Sequence, residues 1–450
     1  MSCADEDCDH AWHYDSPKTL RGSMQRGLGY AAYLAPRDPD GAQLAGECLR
    51  RDHRWDWQVD DRIVYLARLV RDLHLDLAPL VGQMRACGPQ KHYTEPDPTD
   101  DDNQFDVAVG VLAALARSGD DHARGALRDY TADGVRWIDV LEQIAGEWPA
   151  TWWDDLWTVA ARRLRPDDAH DVLPGSGPWS VWTGRDPAID AVLSAADSRI
   201  ARARSRHRQP GLEEKATSEL IAILGTTAVS RQAKISVLAQ LRRREPAPEL
   251  LGLADRVAEL NLPFLGSTIR RLGPLALTQA RTWAAQPGHP LSWTGWQILA
   301  DHGGQADIPA LLAAVRELDE CTGWCGYDTL TEGLTRIVTT VGGAVSVKDQ
   351  LVRILRRLLH GSPHSYERTS YLTSLLALDT ERTTQLLPLG LLDCEPGVRL
   401  LAAEHTPPTD DARQWLADLS RDPLEEDDVR EAAGRRLHPA ATAPVPSSGS

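Results

Sequence analysis

Apolar residues recur along this chain at helical spacing. Val59, Ile63, Leu66, Val70 and Leu73 step by four, three, four and three, which places them on one face of a helix. Phe105, Val109, Leu112 and Leu115 repeat the pattern, and Ser118-Gly119 supplies a stop. Alternating, strand-like runs bounded by hairpin turns are not found. Short loops with glycine, proline or aspartate separate the helical stretches, as in antiparallel helix pairs. The pattern predicts an all-α fold.

Two self-similar pairs sharpen that prediction. LARSGDDHARGAL at 115–127 and LADHGGQADIPAL at 299–311 share Leu-Ala, a glycine four positions after the leucine, and a later Ala-Leu. A helix should end at Gly119 or Gly303 and another begin within a few residues. Asp120 or Asp121 suits the first cap, and Asp307 with Pro309 the second. Gly303 is expected to need positive φ or a tight backbone approach. EPGVRLLAA at 395–403 and DDVREAAG at 427–434 form the second pair, their valines 31 residues apart. Val398-Arg399 precedes Ala402-Ala403, and Val429-Arg430 precedes Ala433-Gly434. The small residues allow close helix approach, and the arginines are expected along the outer edge.

These modules resemble HEAT repeats, in particular the short variety named after phycobilisome lyases, most clearly over 290–437 and less so over 100–165. The resemblance implies a HEAT/armadillo-like right-handed α-α superhelix with a concave face. It divides the chain into an acidic, flexible N-terminus (1–15), a Trp-rich helical-repeat region (16–170), a HEAT-like repeat region (186–437) and a disordered tail (438–450). The Pro-, Gly- and Asp-rich stretch 166–187 is read as the boundary.

Composition narrows the setting. The chain has 450 residues, a formal charge of −16 and seven scattered cysteines. That charge opposes contact with phosphate backbones, so neither nucleic acid nor membrane is the expected partner. The cysteine spacing shows no secreted disulfide framework, and no apolar window is long enough to span a bilayer, which points to a cytoplasmic protein.

Four stretches are candidate chemistry. In HRWDWQVDDR (53–62), Trp55 extends the Val59 face, Asp56 can cap, and Asp60 and Asp61 fall in the first helical turn. Trp57, Asp60 and Arg62 are then candidate ligand contacts. TWWDDLW (151–157) offers Trp153, Asp154 and Trp157. It resembles the Trp-Trp-Asp run of HEAT-like alkylpurine DNA glycosylases, where tryptophans hold a cationic base and a carboxylate one turn on stabilises charge; here Trp157 stands in place of that acid. Trp153 and Trp157, at i and i+4, equally fit helix packing. Arg199, Arg202 and Arg206 share a helix face and form a candidate anion patch. Cys3, Cys8, His10 and His13, crowded into eleven positions, have poor spacing for zinc, and CTGWC (321–325) lacks a second thiol pair. No catalytic residue, metal site or cofactor is expected. The expected role is a protein-interaction or scaffold protein that holds a protein or peptide partner, basic by charge complementarity, along a groove. A HEAT-like lyase or other enzyme acting on a protein-bound or small substrate is the first alternative, and a HEAT-like nucleic-acid-binding protein or alkylpurine DNA glycosylase the second.

Overall fold

The computed structural model describes residues 14–54, 59–89, 101–207, 211–286, 288–320, 325–341 and 345–438. Among them every regular element is helical. They fall into two compact units: a middle unit within 197–357, and a composite unit that joins residues of 14–196 to residues of 358–438.

In the composite unit the helix Asp101–Arg117 is buried almost all round, with Phe105, Leu112 and Leu115 at 2% exposure or less. Helices Ile63–Asp72, Ala78–Ala86, Asp121–Asp133 and Trp137–Glu147 pack against it. An all-round apolar helix becomes the core rather than a wall. Asp120 caps the helix that follows, accepting from Ala123 N at 2.9 Å, and Gly119 takes φ +101° to turn the chain. The stretch 166–187 does not interrupt this core. Trp179 and Trp182 are fully buried within it and meet Trp137 and Trp153 edge to face at 6.4 and 5.7 Å.

The C-terminal segment completes the same unit. Helices Pro396–His405 and Asp427–Leu437 pack together through buried Val398, Ala402, Ala403, Val429, Ala432 and Ala433, the apolar positions of the second self-similar pair. Arg399 does not lie on an outer edge, whereas Arg430 is half-buried and pairs with exposed Asp427. Arg399 is 1% exposed, pairs with Glu425 at 2.7 Å and donates to the carbonyls of Asp393 and Cys394. Arg430 likewise reaches the Glu425 carbonyl at 2.8 Å. Each folds back over the loop before its own helix, because that loop's carbonyls lack other donors.

A second recurring use of arginine ties successive helical hairpins. Arg163 donates to the carbonyls of Thr131 and Gly134, Arg436 to Thr406, Arg271 to Arg242, and Arg336 to Ala300 and Gly303, at separations of 29 to 36 residues. The acceptors lie in the last turn or cap of a helix, where carbonyls are left without intrahelical partners.

In the middle unit, helices Ser292–His302 and Ile308–Glu320 bracket the second Leu-Ala module. Gly303 there has φ −69°, so it is not a left-handed position. Its constraint is space: a Cβ would sit 2.5 Å from Leu299 O and 2.8 Å from Asp307 Oδ2. Asp307 accepts from Gly304 N at 2.9 Å and pairs with Arg281 at 2.8 Å.

The helix expected from Val59 starts later, at Ile63. Val59 is 49% exposed, and Asp60 and Asp61 precede the helix instead of occupying its first turn. Of the predicted face, Leu66 and Val70 are buried and Ile63 and Leu73 partly so, and Tyr65 and Leu69 join them inside.

Candidate functional site

The composite unit closes where its two sequence segments meet. Arg62 is buried and donates to the carbonyls of Gln25, His53 and Pro363, the last two at 3.0 and 2.7 Å. Asp60, also buried, accepts from Ser365 N and Oγ at 2.8 and 2.9 Å. Arg26 donates to Gly361 O, Arg368 to Arg26 O, and Cys394 N to Gly27 O. Gly27 has φ +69°, and a Cβ on it would stand 2.4 Å from Cys394 Sγ, so only glycine lets the segments meet here. These bonds pull residues 60–62 out of a helix. Asp60 and Arg62, the candidate contacts, are buried and spend these groups on fastening the fold. Trp57, with Trp55 and Asp56, lies outside the described residues.

The other candidates resolve similarly. TWWDDLW is not one helix: two short 3-10 turns, Ala150–Trp152 and Asp154–Leu156, flank Trp153 before the helix Trp157–Arg163. Trp153 is buried, with Nε1 on Trp148 O at 3.1 Å. Asp154 accepts from Trp182 Nε1 and pairs with Arg185, both at 2.9 Å, which holds its carboxyl below the usual range. Trp157 is half-buried against the same core. The Trp153 ring and the Asp154 carboxylate are thus committed within the fold. Arg199 is half-buried and Arg202 exposed; the side chain of Arg206, like the zinc-type residues at 3–13 and most of CTGWC, is outside the described set. Among the described residues no group of three or more His, Cys, Asp or Glu is placed to hold a metal ion, and no helix is long and apolar enough to cross a membrane.

A small cavity of about 250 Å³ brings Cys48 and His53 together with Asp15, Arg21, Gln25 and Glu47. Its chemistry runs against a cysteine nucleophile. Burial pushes the Cys48 thiol up to about 12, and burial with the nearby Arg62 charge pushes the His53 imidazole down to about 4. A protonated thiol beside a neutral imidazole is unactivated.

The larger opening is a cleft of about 550 Å³ in the composite unit. Helix Gly29–Leu34 and the turn after it supply Tyr33, Pro36 and Arg37; helix Ile63–Asp72 supplies Arg68, Leu69 and Arg71; helix Asp410–Leu419 supplies Trp415, Asp418 and Leu419. Leu73, Leu391 and Leu392 complete an apolar floor. Tyr33 and Trp415 meet edge to face at 5.7 Å, and the Arg37 guanidinium lies 4.1 Å from the Tyr33 ring centre. Thr409 caps the Trp415 helix, accepting from Ala412 N at 3.2 Å, and so fixes where that helix begins.

One wall of the cleft is electrostatically saturated. Arg68 pairs with Asp422 and Glu425 at 2.8 and 2.9 Å, and Arg71 with Asp422 and Asp72 at 3.3 and 2.9 Å. Burial opposes charge on Asp422 and Glu425, yet these arginines with Arg399 outweigh it and hold both carboxyls below their ordinary range. Behind them Glu395 behaves oppositely: burial pushes it up to about 7, Arg368 notwithstanding, and its Oε2 has no hydrogen-bond partner. Arg421 stands exposed at the rim. The cleft thus presents aromatic and aliphatic surface beside a wall whose acids, Asp422 and Glu425, are already paired with arginines. Periodicity could not have found it, because Tyr33 and Trp415 come from opposite ends of the sequence. No family model, curated protein or solved structure matches this chain.

Proposed function

We propose that this protein is a binding protein of the HEAT/armadillo-like kind, built from stacked helical hairpins, and that its composite unit holds an extended, apolar, proline-bearing segment of a partner protein. The observation that carries the reading is the Tyr33–Trp415 shelf over a leucine floor. Aromatic-lined grooves accept proline-rich chains because these are already extended and lose little entropy on docking. The arginine struts at 29 to 36 residues and the two self-similar pairs support the repeat architecture. The buried thiols of Cys48 and Cys394 suit a reducing, cytoplasmic setting. The net charge of −16 favours a basic partner over the surface at large, while apolar contact decides at the cleft. A lyase-like role is less well supported, since Asp422, Glu425, Arg68 and Arg71 are tied to each other instead of converging on the cleft's centre.

The test is selection of peptides from a displayed random library on the intact chain, followed by counter-screening on Trp415→Ala. Trp415 is half-buried, so the variant should keep its helical circular dichroism. Enriched peptides should carry proline and should lose binding to the variant by tenfold or more, a loss of about 1.4 kcal/mol. Peptides that bind the variant equally well would refute the assignment of the cleft.

A further inference from the structure

The chain around the Tyr33–Trp415 cleft is acidic, but the lining of the cleft is not. Residues 12–196 and 358–450 carry 45 acidic and 28 basic side chains, whereas four arginines and three aspartates line the cleft. Arg68 and Arg71 are bound to Asp422, Glu425 and Asp72. Among the described residues no carboxylate pairs with Arg37 or Arg421. We infer that the partner segment carries a carboxylate beside its proline, and that Arg37 grips it side-on. The inference rests on the peptide-binding reading above and adds to it the charge that selects among proline-bearing segments.

Three observations single out Arg37 and a carboxylate. The first is pose. Arg37 Nη1 donates to Tyr33 O at 2.5 Å, and its guanidinium lies 4.1 Å from the Tyr33 ring centre. Those contacts hold the group without using Nε or Nη2, the edge that takes a carboxylate through two parallel hydrogen bonds. Tyr33 is at once part of the aromatic shelf and the platform of Arg37, so proline and acid are near neighbours in the segment. The second is entropy. A long side chain gives up rotamer freedom when it engages a ligand. Arg37 has already given it up to Tyr33, whereas Arg421 is exposed and its side chain makes no bond among the described residues. The third is the class of anion. Asp418, also in the lining, has no arginine partner among the described residues and accepts from Gln414 Nε2 at 3.0 Å. Its charge opposes a dianion such as a phosphorylated side chain, which draws several cations around it, while one guanidinium edge matches one carboxylate.

The test begins with random peptides displayed with free C-termini and selected on the full chain. Enriched sequences should place Asp, Glu or the chain end beside proline. One such peptide is then synthesised as selected, with its acidic side chain replaced by the amide, and with its C-terminus amidated. Loss on the second form assigns the carboxylate to a side chain, and loss on the third to a chain end. Either loss should be about tenfold on the native chain and less than about twofold on Arg37→Gln, a coupling that a general change in the cleft would not produce. Arg37 is exposed, so the variant should keep its helical circular dichroism. Arg37→Lys keeps the charge without the fork and should restore only part of the coupling, and Arg421→Gln should leave the coupling whole. Equal losses on the native chain and Arg37→Gln, coupling to Arg421 alone, or tighter binding of a peptide with phosphoserine at the acidic position would each overturn the inference. Enriched peptides with proline but indifferent to both carboxylate replacements, still lost on Trp415→Ala, would overturn it and leave the peptide-binding reading standing. That reading fails by a different result, library peptides indifferent to Trp415.

Discussion

At the residue scale, this protein uses arginine in two energetically distinct ways, and the difference can be measured. Arg368 is fully buried, with Asp393 at 2.7 Å and the Arg26 carbonyl at 3.0 Å. Arg368→Met strands Asp393 and should cost about 3–5 kcal/mol in denaturant unfolding. Arg413 pairs with Asp410 at 3.1 Å, but both are well exposed, and Arg413→Ala should change stability by less than about 0.5 kcal/mol. Glu395 sets a pH dependence. Its carboxyl is raised from 4.5 to about 7, so the folded state prefers it protonated, and its contribution is lost as pH rises through 7. Glu395→Gln should therefore raise the melting temperature relative to the native chain at pH 8 and leave it nearly unchanged at pH 4, below the unfolded value of 4.5. An equal shift at both values would exclude titration of this group. Asp422 and Glu425 have depressed values, and their contribution is present above the unfolded values of 3.8 and 4.5 and lost as pH falls through the lower folded ones.

At the element scale, helix ends matter more than helix middles. The Gly303 turn tests this. A valine there meets Leu299 O and the Asp307 carboxylate, which is clasped by Arg281, so Gly303→Val should lower stability by about 2 kcal/mol or more. Gly304→Ala is the control, since a Cβ there meets nothing within 4 Å. Thermal melts of the two variants should separate clearly, and equal melts would discount the close approach. Buried Leu66 and Val70, the buried face from Phe105 onward, the Asp120 cap and the packed valines and alanines of the second pair were all legible in the sequence. They follow from local periodicity and side-chain size. The placement of Arg399 was not legible, because its partners lie in a loop whose carbonyls only folding leaves without donors.

At the scale of the molecule, the composite unit depends on two segments more than three hundred residues apart in the chain. Gly27 and Cys394 are the tightest point of that junction. Gly27→Val should accelerate amide hydrogen exchange at 22–28 and at 389–394 together, whereas independent segments would show the change only around residue 27. The candidate cleft belongs to the same scale. Its shelf, its floor and its paired wall are drawn from both segments, which is why neither TWWDDLW nor HRWDWQVDDR supplies it.

The sequence by itself determined the helical class, most of the buried faces, and the capped turns of the repeated modules. Those features depend on side-chain spacing over one or two turns, where covalent connection already holds the residues together. Only the tertiary structure decided that Asp60 and Arg62 fasten the fold, that the tryptophans of 151–157 are packing residues, and that Tyr33 and Trp415 share a cleft. Each of those outcomes depends on which distant donor, carbonyl or ring arrives alongside, and a burial term set by the whole unit chooses among the partners that local pattern leaves open.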